Sequence, residues 1–416
     1  MNSEFSFALC LVFILLVPFA IAGLSLINVG LGRSRSAAHF MTSSLTVLGV
    51  AVLVYFVWGC AVQKLPFGDL VLKRATFLGF RGPGLLIRDI FINWDFQLAF
   101  LLGACGVGLA SLIPLGAAAD RWRFSSAIWS TVLLAGCIFP IFGRLALFWF
   151  QINVPALLPA KFLDNGSGLI NVTGGLTALS IAWLLGPRHG KYSSNGMPAA
   201  IPAHNAVFVL FGCMLAWVGW MGLNAAGAML YAGARPEQSV LVVLNTTLSA
   251  AAAALTAAAV TRIRYHRPDA SLIANGWMAG LVASSAGCAA FKPPIAVLVG
   301  LVAGGLVVFS VEFFELSMKV DDPCGSVSVH AVCGLWGLLA VGIFSGSGGQ
   351  FMAQLVGVAT LLGFIFPMTY GLNWLLNRFI PYRVSPDGER QGLDLHELGA
   401  DAYPEFVVHS DEFMQR

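Results

Sequence analysis

The chain has 416 residues, of which 58% are hydrophobic and only 10% charged, against roughly a quarter charged in an average soluble domain. Mean hydropathy is +0.81, more apolar surface than a water-soluble core can absorb, and a net charge of +3 is too small to suggest nucleic acid as a partner. The chain's main solvent is therefore a lipid bilayer.

Eleven apolar runs approach or exceed the roughly 20 residues that a spanning helix needs, near 5-29, 42-63, 95-118, 125-150, 166-186, 206-225, 239-261, 271-288, 294-317, 325-345 and 351-377. They are apolar on every face, which excludes the alternation of a membrane β-barrel. The fold class is thus all-α and polytopic, with a membrane domain over 1-377 and a tail over 378-416. In the first run Ala20-Ile21-Ala22 resembles a cleavage site, but Glu4 and no Lys or Arg precede it, unlike a secretory signal. It is read as span one.

The connections set orientation. Fourteen basic residues fall on one side: Arg33, Arg35, Arg121, Arg123, Arg188, Lys191, Arg262, Arg264, Arg267, Lys319 and the tail's Arg378, Arg383, Arg390 and Arg416. Eight fall on the other: Lys64, Lys73, Arg74, Arg81, Arg88, Lys161, Arg235 and Lys292. By the positive-inside rule the tail is cytoplasmic, and eleven spans put the N-terminus outside. The eight cysteines are scattered singly, which suggests neither a disulfide framework nor a metal cluster. No G-x-S-x-G, phosphate loop or metal spacing occurs, so neither enzyme nor cofactor is indicated.

Span ten carries a histidine within a helix-length apolar run. Around it the chain reads Ser326-x-x-x-His330-x-x-x-Gly334-Leu335, and span five echoes this as Ser167-x-x-x-Asn171-x-x-x-Gly175-Leu176. Such an echo suggests two inverted halves, spans one to five and six to ten, whose sites meet near the midplane. Asp321 and Asp322, just before span ten, are expected to cap it, since carboxylates favour helix N-termini. Glu312 and Glu315 are expected at the membrane interface.

Asp321-Asp322-Pro323 followed by Val329-His330-Ala331-Val332-Cys333-Gly334-Leu335-Trp336-Gly337 resembles the tenth-helix signature of the ammonium transporter (Amt/Rh) family. The likeness extends over nearly the whole chain. Gly30-Leu31-Gly32-Arg33-Ser34, Gly116-Ala117-Ala118-Ala119-Asp120-Arg121, Leu185-Gly186-Pro187-Arg188 and Gly219-Trp220-Met221-Gly222-Leu223-Asn224-Ala225 fall in the family's order, as do Gly392-Leu393-Asp394 and Ala402-Tyr403-Pro404 in the tail. The resemblance implies a homotrimer with one narrow pore per protomer. It also implies an outer vestibule that recruits ammonium, an aromatic gate and two facing pore histidines.

Residue by residue, that pattern places His330 and Trp220 at the pore and marks several departures. Asn171 stands where the first pore histidine belongs, and an amide does not titrate. Gly106 and Leu223 occupy the two gate positions. Phe96-Gln97-Leu98-Ala99-Phe100 resembles the family's F-Q-x-x-F but comes six residues early, about 9 Å along a helix, so Phe100 falls short of the gate unless the helix bulges. At the vestibule, Ala146 takes the recruiting tryptophan's place, with Trp149 one turn on as a substitute aromatic face. Asp164 is the nearest match for the family's helix-five aspartate, by way of a one-residue gap. Arg144 has two readings: it snorkels or pairs with Asp164, or it faces the vestibule and disfavours a cation.

The resemblance implies a channel or transporter for ammonium or ammonia. The alternatives are a receptor-like relative that binds without conducting, and the family scaffold reused for another small solute. The tail's order implies docking beneath the pores and contact with a PII-type regulator, weakened because Leu398 and Ala400 replace the family's histidine and glutamate.

Overall fold

A computed structural model describes residues 4–63, 94–150 and 160–403, apart from the side chains at 148 and 149. The basic residues Lys64, Lys73, Arg74, Arg81, Arg88 and Arg416, together with Pro404 and the side chain of Trp149, lie outside the described part. Eleven helices follow the apolar runs: α1 Glu4–Leu31, α2 Ser34–Gln63, α3 Trp94–Ala117, α4 Phe124–Leu147, α5 Ser167–Leu185, α6 Ala206–Tyr231, α7 Gln238–Tyr265, α8 Ala270–Ser285, α9 Pro293–Ser317, α10 Val327–Phe344 and α11 Gln350–Phe379. Ten are long enough to span a bilayer by themselves, and α8 is shorter at 16 residues. Among the described residues β structure is limited to isolated bridges. The tail begins after α11 and contains a short helix, α12 Pro386–Gln391.

Two kinds of packing hold the bundle. Leu15, Leu45, Leu53, Leu255, Ile263 and Phe364 are exposed, as lipid-facing side chains should be when no water has to be avoided. Between helices, small residues let backbones approach. α1 and α6, which open the two halves, cross so closely that a Cβ on Gly219 would fall 2.0 Å from Ala20 N, and one on Gly23 would fall 2.5 Å from Ala216 N. α5 and α10, which close the halves, meet in the same way, with a Gly175 Cβ only 2.4 Å from Ala331 N.

The echo between spans five and ten reappears as backbone shape. Both helices begin with six residues of π-helix, Ser167–Val172 and Val327–Val332, and each start is preceded by a glycine at positive φ, Gly166 at 100° and Gly325 at 68°. A π turn inserts an extra residue into the helical ladder and re-aims the side chains on it. In both halves it carries the polar pore candidate, Asn171 or His330.

On the tail side, buried ion pairs lock the connections. Arg188 grips Asp321 through Nε (2.9 Å) and Nη2 (3.0 Å) and reaches Asp120 through Nη1 (3.0 Å). Arg121 donates to the carbonyls of Ala119, Gly186 and Asp321. Burial alone would raise the Asp321 carboxyl, but the Arg121 and Arg188 charges hold it down to about 2. Asp322 does cap α10, accepting from Val327 N at 2.7 Å, whereas the side chain of Asp321 is committed to Arg188. Glu315 pairs with Lys191, and Glu312 with Arg264 at 2.9 Å.

Candidate functional site

Where α5 and α10 cross, His330 Nδ1 lies 2.8 Å from Asn171 Oδ1. Asn171 is fully buried and His330 is 2% exposed. The amide has one orientation that satisfies both ends: Nδ2 donates to Gly166 O at 3.2 Å, which turns Oδ1 toward the imidazole. Because Oδ1 can only accept, His330 Nδ1 carries the hydrogen, and in the neutral ring Nε2 is left as the acceptor. A proton can therefore arrive at or leave His330 only through Nε2. The amide cannot pass it on.

Away from the tail side, a cavity of about 30 Å³, room for a water-sized molecule, is bordered by Gly166, whose carbonyl holds the Asn171 amide, and by Ile170, the residue before Asn171. Gln63, Gly106, Phe139, Asp164, Ile170 and Leu223 are among its walls, so both gate positions border one space. A Cβ on Gly106 would meet Ile170 Cδ1 at 3.1 Å and Phe139 Cζ at 3.7 Å. Ile170, the residue before Asn171, therefore fills the space that a larger residue 106 would need. Phe100 remains one level away, because α3 runs from Trp94 to Ala117 as uninterrupted α-helix. It stacks on Tyr55 with ring centroids 5.8 Å apart, and the Tyr55 hydroxyl donates to Gln63 Oε1 at 2.7 Å.

Asp164 borders the same cavity and is held by its own helix start, accepting from the N–H groups of Gly166 (3.0 Å), Gly168 (2.9 Å) and Leu169 (2.8 Å). Burial raises its carboxyl, and these donors offset that only in part. Among the described residues Arg144 makes no ion pair with Asp164; it sits half-buried on α4. Trp220 stands apart from the cavity walls, fully buried, with Nε1 donating to Ser285 Oγ of α8 at 3.2 Å. The sequence reading missed Ile170, Phe139 and Gln63. Only the pore-side register of Ile170, next to Asn171, could have flagged any of them.

On the tail side a second cavity, about 140 Å³, is bordered by Arg188, Lys191, Glu315, Asp321, Asp322 and Ser328. Burial chiefly, and the neighbouring Asp321 charge in small part, raise the Asp322 carboxyl to about 6. Its Oδ1 is buried without a hydrogen-bond partner among the described residues.

A bundle of eleven helices in two inverted halves, with a polar pair buried at their crossing, is the architecture of a polytopic membrane protein. Residues 8–403 match the model of the Ammonium Transporter Family. The ammonium transporter Amt2 of Archaeoglobus fulgidus is 33% identical over 95% of this chain and 88% of its own length, and Amt2 of Haloferax mediterranei is 31% identical over 95% and 90%. The chain belongs to the ammonium transporter family. Among solved structures, one described as a sensor Amt protein superposes with TM-score 0.84 at 27% identity, covering 94% of this chain and 98% of that one. Candida albicans Mep2 gives 0.75 at 21%, covering 97% and 91%, and Nitrosomonas europaea Rh50 gives 0.72 at 18%, covering 100% and 96%. At those identities the last two speak for the fold.

Proposed function

We propose that this protein is a homotrimeric channel in a cytoplasmic membrane that moves ammonium nitrogen inward, one pore per protomer, with its N-terminus outside and its tail in the cytoplasm. The observation that carries the reading is the Asn171–His330 hydrogen bond, buried at the crossing of the two halves beside a cavity of ammonia's size. A bare cation at the bilayer centre costs from about 3 to more than 10 kcal/mol depending on method, so a path this narrow and apolar favours ammonium that sheds its proton outside and crosses as ammonia. Nε2 of His330 is then the acceptor that the passing N–H groups meet. Asn171 orients the ring and takes no proton, so the relay available to two facing histidines is absent and charge movement per ammonium is low.

Proteoliposome flux of ammonium and methylammonium, with membrane current recorded at the same time, tests this. Flux with little current is expected, and Asn171→His should raise the current carried per ammonium moved. A wild-type current of one charge per ammonium would overturn the electroneutral reading. A second reading, binding without conduction, draws on the missing titratable partner and on the likeness to a structure described as a sensor. Saturable ammonium binding with no flux above empty liposomes would favour it. Flux of some other small solute alone would indicate a reused scaffold.

A further inference from the structure

One wall of the gate cavity has no part in that account. Gln63, the last residue of α2, is 1% exposed and borders the cavity of about 30 Å³ together with Gly106, Asp164 and Leu223. Its Oε1 accepts from the Tyr55 hydroxyl at 2.7 Å. Tyr55 is fully buried, and Gln63 is its one hydrogen-bond partner among the described residues. The amide therefore has a favoured orientation: turned the other way, it would leave the buried hydroxyl hydrogen without an acceptor, which costs more than the new bond returns. Both groups are hemmed in, since a Cβ on Gly103 of α3 would fall 2.5 Å from Tyr55 Oη and one on Gly143 of α4 would fall 2.8 Å from Gln63 Nε2. With Oε1 taken, Nε2 is the end left over. It has no hydrogen-bond partner among the described residues, and unlike Asn165 Oδ1 in the same wall it is not shut away from free space. Its N–H is thus open to the cavity. Asp164, a further polar wall, is already occupied by the backbone N–H groups of its own helix start.

We propose that the Gln63 amide, oriented by Tyr55, is a selectivity element of the gate cavity, which admits ammonia and disfavours ammonium by offering an N–H donor. The inference deepens the ammonium reading above and rests on it. A carboxamide nitrogen can only donate. Ammonia has a lone pair to accept that hydrogen, whereas ammonium has four donors and no acceptor, so it meets the positive end of the amide dipole and gains nothing there. A molecule held by its lone pair keeps its own N–H groups free for the next acceptor, His330 Nε2. Tyr55 acts through Gln63, as a positioning residue.

The test uses full-length wild type, Gln63→Leu and Tyr55→Phe in proteoliposomes, with ammonium-driven internal pH change as the flux readout, membrane current recorded at the same time and trimer melting in detergent alongside. Gln63→Leu nearly keeps the volume and removes the donor. Its ammonium flux should fall about fivefold, the worth of one hydrogen bond to the passing molecule. The current should not fall with it, because a charged species never used that donor, so current per ammonium moved should rise by the same factor. Tyr55→Phe keeps the ring stacked on Phe100 and frees the amide to turn, and should move both quantities in the same directions by a smaller factor. Loss of folded trimer lowers flux and current together and leaves their ratio alone, which separates damage to the fold from loss of the donor. Wild-type flux and ratio in Gln63→Leu would overturn the selectivity role. So would a flux loss in that variant at an unchanged ratio. If Gln63→Leu does not assemble, Tyr55→Phe decides alone, an unchanged ratio counting against the proposal. A wild type without ammonium flux is a separate result: it overturns the ammonium reading and the selectivity role together, before any variant is compared.

Discussion

At the residue scale the gate region shows how one substitution changes what its neighbours do. With no side chain at 106, Ile170 Cδ1 occupies the adjoining space 3.1 Å from where a Cβ would begin, and Ile170 is 5% exposed. The cavity is therefore closed by aliphatic groups from α5 and α6 together with Phe139 of α4. Gly106→Phe alone should overpack this spot, at a cost of about 1–3 kcal/mol, and block flux. Gly106→Phe combined with Ile170→Ala should recover much of both, because the two changes share one volume and will not add. Detergent melts and proteoliposome flux of the single and double variants check this; additive losses would show that residues 106 and 170 do not share the gate. None of this was legible beforehand. Counting along α3 could show that residue 106 is a glycine, but not which helix fills the gap. The Asn171–His330 pair, by contrast, could be read, because a local echo of serine, polar residue and glycine fixes each partner on its own helix. Asp164 illustrates the opposite case. Its spacing left Arg144 open as a partner, yet backbone N–H groups two to five residues on claim the carboxylate first, at almost no cost in chain entropy.

At the element scale the spans were legible because lipid imposes a single rule, satisfying every backbone group within the helix, and apolar runs report it directly. Their ends were less so. α2 begins at Ser34, well before the apolar run near 42, because Ala38 and His39 find a carboxylate from the distant tail to cap them. α10 begins under the control of Asp322, which caps Val327 while its other oxygen stays unpaired. Burial raises this carboxyl from 3.8 to about 6. A carboxyl raised in the folded state contributes stability that is fully present below its unfolded value and is lost as pH rises through about 6. At pH 8 the wild-type chain therefore bears a penalty of about 3 kcal/mol. Asp322→Asn keeps an acceptor for Val327 N and removes the charge, so it should raise the melting temperature at pH 8 and make little difference at pH 4. Equal effects at both pH values would mean that packing, not ionisation, is at issue.

At the scale of the whole molecule the tail ties spans of the first half to the connection that leads into the second. Asp394 accepts from Ala38 N (3.1 Å) and His39 N (2.7 Å), capping α2. Glu397 accepts from Phe124 N at the start of α4 and meets His39 Nε2, both at 2.8 Å. Glu389 takes His189 N and Arg383, tying down the α5–α6 connection. Burial pulls the Glu397 carboxyl upward, but the His39 and Phe124 hydrogen bonds outweigh it and leave it below its ordinary value. Its contribution is present above the unfolded carboxylate range and fades as pH falls through the depressed value. Asp394 and Glu397 cap the starts of the two helices that carry the cavity walls Gln63, at the end of α2, and Phe139, in the second half of α4. The tail is thus placed to set the spacing of α2 and α4, and a PII-type regulator would have to act on a segment already engaged. Asp394→Ala with Glu397→Ala removes two helix caps, each worth about 1 kcal/mol, and should free the tail to proteases while the eleven-helix bundle stays assembled. If the tail governs the pores, the same variant should change ammonium flux in the direction that deletion of residues 388–416 does, and by a comparable factor. A tail released to proteolysis with flux unchanged would confine its role to capping and remove the regulatory claim.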